Sequence, residues 1–178
     1  YRVDVTDANG CTGTDEVFIN VANPPIVDLG NDLEACDGEE VTLDAGPDAD
    51  TYLWSTGEVT QTIQVTTSGN YVVTVSRDGC DETDNVNVVF NDLPPVNFDF
   101  DDTCQDGSVA FQNQTTGGSS YLWDFGDGTQ SILENPNKTY ATAGTYNVSL
   151  TATSADNCPA ATSKTIEVYD IPSPGFTT

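Results

Sequence analysis

The sequence predicts an all-β protein built as a tandem array of small β-sandwich domains. Three observations carry that reading. The chain repeats at long period, its short apolar runs alternate as strands do, and no helical periodicity is sustained. Tyr1 opens YRVDVTDANGC, Tyr71 opens YVVTVSRDGC and Tyr146 opens YNVSLTATSADNC, so the copies start 70 and 75 residues apart. Each copy runs through a polar, alternating stretch to prolines: Pro24-Pro25, Pro94-Pro95, then Pro172 and Pro174. A period of that length holds several strands and marks stacked domains in an extended array.

Four segments follow in order. Residues 1–23 read as the closing hairpin of one domain. Val3 and Val5 alternate with polar neighbours, Ala8-Asn9-Gly10 turns, and Val17, Ile19 and Val21 alternate back. Residues 24–92 read as a complete domain with strands at 26–29, 41–45, 51–55, 61–65, 71–76 and 86–90. Residues 93–170 repeat the plan, with strands at 109–113, 121–125, 146–151 and 165–168. Residues 171–178 read as a linker and the first strand of a further domain. The chain thus reads as a window on a longer, fibre-like protein.

The middle strands of the two full domains match closely, YLWSTGEVTQ at Tyr52 and YLWDFGDGTQ at Tyr121. A Trp on the third strand is the usual core anchor of an immunoglobulin-like sandwich, so Trp54 and Trp123 read as packing residues. Tyr71 and Tyr146 follow Gly-containing corners (Ser68-Gly69-Asn70 and Ala143-Gly144-Thr145). They read as tyrosine corners, whose hydroxyl pins the turn before the sixth strand.

The net charge is −25, from 29 acidic side chains against four basic ones, Arg2, Arg77, Lys138 and Lys164. Nothing here could neutralise phosphates, which excludes nucleic acid as a partner. Anionic lipid repels such a chain, and no apolar run is long enough for direct membrane insertion. Self-repulsion keeps a long array soluble.

Five cysteines recur at two places in the repeat. Cys11, Cys80 and Cys158 follow the Tyr-led strand in polar turns, and Cys36 and Cys104 precede Asp-Gly turns that lead into apolar strands. Each domain therefore carries two cysteines, and the odd count reflects where the repeat is cut. With no CxxC pair and no His, the pattern argues against zinc ligation. Disulfides in an extracellular setting fit instead. Two pairings stand open. One lies within domains, Cys36 with Cys80 and Cys104 with Cys158. The other joins Cys36 to Cys158 between domains and leaves the partners of Cys11, Cys80 and Cys104 outside the fragment. Sandwich topology favours the second. The two turns lie at opposite ends of a sandwich, separated by a strand of roughly 23 Å, whereas bridged Cα atoms stand about 5.5 Å apart.

The third segment resembles the polycystic-kidney-disease (PKD) domain family. The resemblance rests on Trp123-Asp124-Phe125-Gly126-Asp127-Gly128, Asn135-Pro136-Asn137-Lys138-Thr139-Tyr140 and Ala143-Gly144-Thr145-Tyr146-Asn147-Val148-Ser149-Leu150. Lys138 stands where the family commonly has His. The second segment resembles the immunoglobulin-like repeats beside PKD domains in large secreted Bacteroidetes proteins. Its markers are Val27-Asp28-Leu29-Gly30-Asn31-Asp32, Val41-Thr42-Leu43-Asp44-Ala45-Gly46 and Trp54-Ser55-Thr56-Gly57-Glu58. The hairpin at 1–23 resembles the end of another such repeat. The resemblance implies tandem PKD-like sandwiches, export by the type IX pathway, and service as stalks of cell-surface adhesins, including those of gliding motility.

Catalytic chemistry finds no support. Without His there is no His-based triad, and GDGT at Gly126 lacks the Lys of a phosphate loop. Calcium is the one cofactor the pattern suggests, because hard cations need several converging oxygens. Three stretches offer them: Asp28, Asn31 and Asp32; Asp44, Asp48 and Asp50; and Asp99, Asp101 and Asp102. The bland alternative is that these are solvated turn carboxylates. The expected function is a structural, non-catalytic stalk segment of a long secreted filament. Its expected partners are neighbouring domains of the same chain and other copies in the filament. The alternative is an accessory or spacer region of a secreted protease or glycosidase. That reading asks for an exposed aromatic row, for which Tyr52, Tyr121 and Tyr140 are the candidates.

Overall fold

Val, Thr and aromatic residues at alternate positions build strands wherever the ladder can satisfy the backbone. A computed structural model describes residues 1–19 and 21–175. Among the described residues there are strands but no helix, hence none long and apolar enough to cross a membrane. In chain order the strands are β1 (Arg2–Thr6), β2 (Thr12–Glu16), β3 (Leu33–Cys36), β4 (Val41–Asp44), β5 (Thr51–Trp54), β6 (Thr62–Val65), β7 (Gly69–Arg77) and β8 (Cys80–Asn91). They continue with β9 (Phe98–Asp99), β10 (Thr103–Cys104), β11 (Ser108–Ala110), β12 (Gln112–Asn113), β13 (Gly118–Asp124), β14 (Gln130–Ser131), β15 (Asn137–Thr139), β16 (Gly144–Ser154) and β17 (Pro159–Tyr169). The residues group as two compact units, Tyr1–Leu33 with Val41–Val88, and Glu34–Glu40 with Val89–Thr178.

In the first unit β5, β7 and β8 lie side by side in antiparallel order, and β4 pairs with β6 as a separate ribbon. The pleat sends alternate side chains inward. Tyr71, Val73 and Val75 of β7 are buried, as are Val86 and Val88 of β8. Leu43 and Ile63, directly paired between β4 and β6, are buried with them, as are Trp54 and Val65.

The second unit is a five-stranded sheet, β10-β17-β16-β13-β14, with the ribbons β11–β15 and β9–β12. Its core is aromatic. Phe98, Val109, Phe111, Trp123, Phe125, Tyr140, Val148, Leu150, Ile166 and Val168 form one cluster. Phe98 meets Trp123 edge-on at 5.0 Å, and Phe111 stands 5.4 Å from both Trp123 and Phe125. Such edge and tilted contacts add to the area buried.

The hairpin β1–β2 differs from its sequence counterparts. Tyr1 and Val17 exchange both backbone bonds at 2.8 Å, in the register that pairs Tyr71 with Val86. Yet Tyr1 is 87% exposed where Tyr71 is 6% exposed. Val3, Val5 and Val17 are exposed too, while Val73, Val75 and Val86 are buried.

Several strand expectations change. No strand forms at 26–29; the first strand of that segment is β3. The backbone there is satisfied by carboxylates instead of a ladder: Ile26 N–H donates to Asp48 (3.0 Å) and Leu29 N–H to Asp84 (2.7 Å). The stretch 109–113 splits because β11 pairs with β15 and β12 with β9; Phe111 N–H still reaches the Pro136 carbonyl at 2.9 Å, but proline has no N–H to carry that ladder on. Of the strand expected in 171–178, residues 171–175 carry none, and 176–178 lie outside the described residues.

Candidate functional site

Trp54 and Trp123 sit at the same place on β5 and β13. Both are buried, and each indole N–H reaches a carbonyl of the following loop: Thr60 at 2.8 Å and Leu133 at 2.9 Å. The Tyr71 hydroxyl donates to the Thr67 carbonyl at 2.7 Å, and that of Tyr146 to the Thr142 carbonyl at 2.8 Å. Each bond returns four residues upstream, which closes the corner before β7 and β16.

Each of the four basic side chains has a partner within the chain. Arg2 bonds Asp4 at 3.0 Å and lies 3.5 Å from Glu16. Arg77 pairs with Asp48 and donates to the Pro24 carbonyl at 3.0 Å, tying the proline segment to β7. Lys164 bonds the Phe98 carbonyl and lies over the Phe98 ring. Lys138 holds Asp127 at 2.6 Å and Thr129 at 2.7 Å, with its ammonium about equally far from the Phe125 and Tyr140 rings at 5.6 and 5.4 Å. A cation over ring faces is attracted by their quadrupoles. Burial raises the Asp127 pKa, but the bonds from Lys138 and Thr129 outweigh it and hold the carboxyl below its usual range. Burial, and then the Asp127 charge, push the Tyr140 phenol up.

The acidic stretches do not converge. Among the described residues no group of three or more acidic or Cys side chains is arranged to hold a metal. The carboxylates are used locally. Asp28 accepts from Gly30 N–H (2.9 Å) and Asp32 from Asn87 N–H (3.0 Å). Asp44 accepts from Gln61 and Gly46, which lower its pKa in that order. Asp48 is held by Arg77, and Asp50 accepts from Asp78 N–H at 3.4 Å. Asp99 and Asp102 accept from Phe100 and Glu167 N–H. Asp101 is exposed beside them. These acids build turns and brace strands through the bonds just given.

The aromatic candidates are likewise occupied. The Tyr52 hydroxyl donates to Gly46 (2.8 Å) and that of Tyr121 to Gly118 (3.1 Å). Tyr140 is buried, with its hydroxyl on the Phe125 carbonyl at 3.1 Å. They do not form a row facing solvent.

What remains is covalent. Cys36 and Cys158 form a disulfide across a sequence separation of 122. Cys36 lies in the 34–40 segment, which groups with the second unit. Cys11 and Cys104 are exposed free thiols and Cys80 is a half-buried one. The pairings Cys36–Cys80 and Cys104–Cys158 are not formed. Sequence reasoning missed the Lys138 cluster; its signal was a Lys two residues after Pro136, at the position where the PKD family commonly has His.

Buried Trp on the third strand, tyrosine corners, and paired sheets define a protein of immunoglobulin-like β-sandwich class. Residues 91–169 match the PKD domain family. Among solved structures, the PKD1 domain of Vibrio anguillarum Epp is 34% identical, covering 46% of this chain and 99% of that one (TM-score 0.42). The PKD1 domain of the Vibrio cholerae metalloprotease PrtV is also 34% identical, covering 43% and 98% (TM-score 0.39). A structure described as carbohydrate-binding modules from the β-sandwich superfamily is 28% identical over 46% of this chain (TM-score 0.44). This chain spans 36% of its length. PKD domains are commonly spacers or accessory domains of secreted proteins and are generally non-catalytic. The disulfide fits an extracellular location.

Proposed function

We propose that this segment is a non-catalytic stalk of a long secreted cell-surface filament or adhesin, supplying reach and resistance to extension. The reading extends to a type IX-exported surface protein, gliding-motility adhesins included, and what supports it is the resemblance of residues 24–92 to Bacteroidetes repeats. One observation carries the reading. The Cys36–Cys158 bond closes a sequence separation of 122, and most of both cores lies between its cysteines. Force applied at the two ends runs through the cystine, so residues between the cysteines cannot be drawn out while it holds. The surface argues the same way: a net charge of −25 with each cation engaged internally suits a soluble spacer.

Single-molecule stretching tests this. The oxidised chain should release only the residues outside the cystine. Reduction should add about 400 Å of contour, at roughly 3.3–3.6 Å per residue. Equal extension in both states would overturn the reading. The accessory role in a secreted protease or glycosidase is the second reading, and its motivation is that PKD domains, which residues 91–169 match, are commonly spacers or accessory domains of secreted proteins such as proteases. The internal engagement of Tyr52, Tyr121 and Tyr140 disfavours carbohydrate stacking as its basis.

A further inference from the structure

Two kinds of cysteine turn recur in the chain, and one of each kind is bonded. Cys36 ends β3. The next N–H, of Asp37, donates to the carbonyl of Asn91 at the end of β8 (3.0 Å), and Glu39 N–H returns to the Cys36 carbonyl (3.0 Å). Cys104 ends β10 in the same manner. Gln105 N–H donates to Tyr169 at the end of β17 (2.7 Å), and Gly107 N–H returns to Cys104 (2.9 Å).

Cys158 closes a five-residue turn. Ser154 N–H donates to the Cys158 carbonyl (3.0 Å), Asn157 N–H to the Ser154 carbonyl (3.2 Å), and Cys158 N–H to the Ser154 hydroxyl (3.2 Å). Cys11 repeats this bond for bond. Asp7 N–H donates to Cys11 (2.9 Å), Gly10 N–H to Asp7 (3.1 Å), and Cys11 N–H to the Asp7 carboxylate (2.9 Å). The fourth residue is left-handed in both, Asn157 at φ 63° and Gly10 at φ 84°. Cys80 is different: it lies directly across from Arg77 in a two-residue turn and is half-buried.

Cys104 thus occupies the place of Cys36, and Cys11 the place of Cys158. The second pair is a formed cystine; the first is two exposed thiols. In the formed cystine the strand-end cysteine precedes the turn cysteine along the chain. Cys11 precedes Cys104, so the same arrangement takes a further copy of the repeat, which a second copy of this chain supplies. We propose that Cys104 of one copy and Cys11 of a second copy form this cystine, linking copies of the repeat head to tail. The proposal deepens the stalk reading by giving it covalent joints between copies.

The chemistry is thiol–disulfide exchange with a small-molecule disulfide such as oxidised glutathione. The Cys104 thiolate attacks one sulfur and releases one glutathione thiolate. The Cys11 thiolate of the second copy then attacks the Cys104 sulfur of the mixed disulfide and releases the other glutathione. Two protein thiols give up two protons and two electrons, and one glutathione disulfide becomes two thiols.

The test is non-reducing peptide mapping of the intact chain in a glutathione redox buffer at roughly 0.15 M salt, where like-charge repulsion is screened beyond about 8 Å. Linear multimers are expected, with the Cys104–Cys11 peptide about tenfold over either like pair, the excess that a modest complementarity supplies. Cys104→Ser and Cys11→Ser should each stop growth, and Cys80→Ser should not. The Cys36–Cys158 peptide reports in every variant that the fold is intact. Like-with-like peptides in equal yield, or a monomer keeping both thiols free, would overturn the proposal. A monomer that still extends only outside residues 36–158 leaves the stalk reading standing, so the two fail separately.

Discussion

The hydroxyl of Tyr146 has one carbonyl to meet, that of Thr142, with the Thr142 hydroxyl at 2.7 Å beside it. Tyr146→Phe keeps the ring and removes that bond, so urea unfolding should show a loss of about 0.5–1.5 kcal/mol. The control is Tyr169→Phe. That ring is half exposed and its hydroxyl bonds only Glu167, so the change should stay within about 0.5 kcal/mol. Lys138 is the other telling residue. Its side chain and that of Asp127 are both largely covered, 14% and 22% exposed, and their bond is charge-assisted. Lys138→Met should cost about 1–3 kcal/mol at neutral pH. The Asp127 pKa is lowered in the folded state. The pair therefore contributes fully above about pH 4, the unfolded carboxyl's value, and loses that contribution as pH falls through the folded pKa. Lys138→Met should flatten the acid limb of the stability–pH curve. An unchanged limb would show that the pair is dispensable.

At the scale of the element, the turn after β13 shows how two similar glycines differ. Gly126 has φ +75°, and a Cβ there would lie 2.6 Å from the Asn147 carbonyl oxygen of β16. Gly128 has φ +84° and open space around it. Gly128→Ala should cost only the left-handed penalty, about 1 kcal/mol, and Gly126→Ala clearly more, because backbone must move. Thermal melting of the two variants decides the order. The same scale shows where pattern reading works and stops. The alternation of Tyr71, Val73 and Val75 is that of Tyr1, Val3 and Val5, and both form strands as read. Only the first face is covered, since burial depends on what lies opposite. The expected strand at 26–29 failed for a different reason: Asp48 and Asp84, distant in sequence, take its N–H groups. An apolar run does not announce which acceptor will claim its backbone.

For the whole molecule the cystine dominates. Closing a loop of more than a hundred residues removes about 2–5 kcal/mol of unfolded-state freedom. Cys36→Ser should therefore lower the urea midpoint as much as reduction does; a midpoint equal to the oxidised chain's would show no such contribution. The acidic chain was legible as a soluble β array because charge and period are summed along the sequence. The sequence by itself also determined the anchors: Trp54, Trp123, Tyr71 and Tyr146 stand in local motifs whose partners lie within ten residues. Only the tertiary structure decided which cysteines meet, that the aspartates are consumed by nearby N–H groups, and that Lys138 seats between two rings. Those outcomes depend on atoms brought together across strands, and a residue's type states what it can bond without stating what will be in reach.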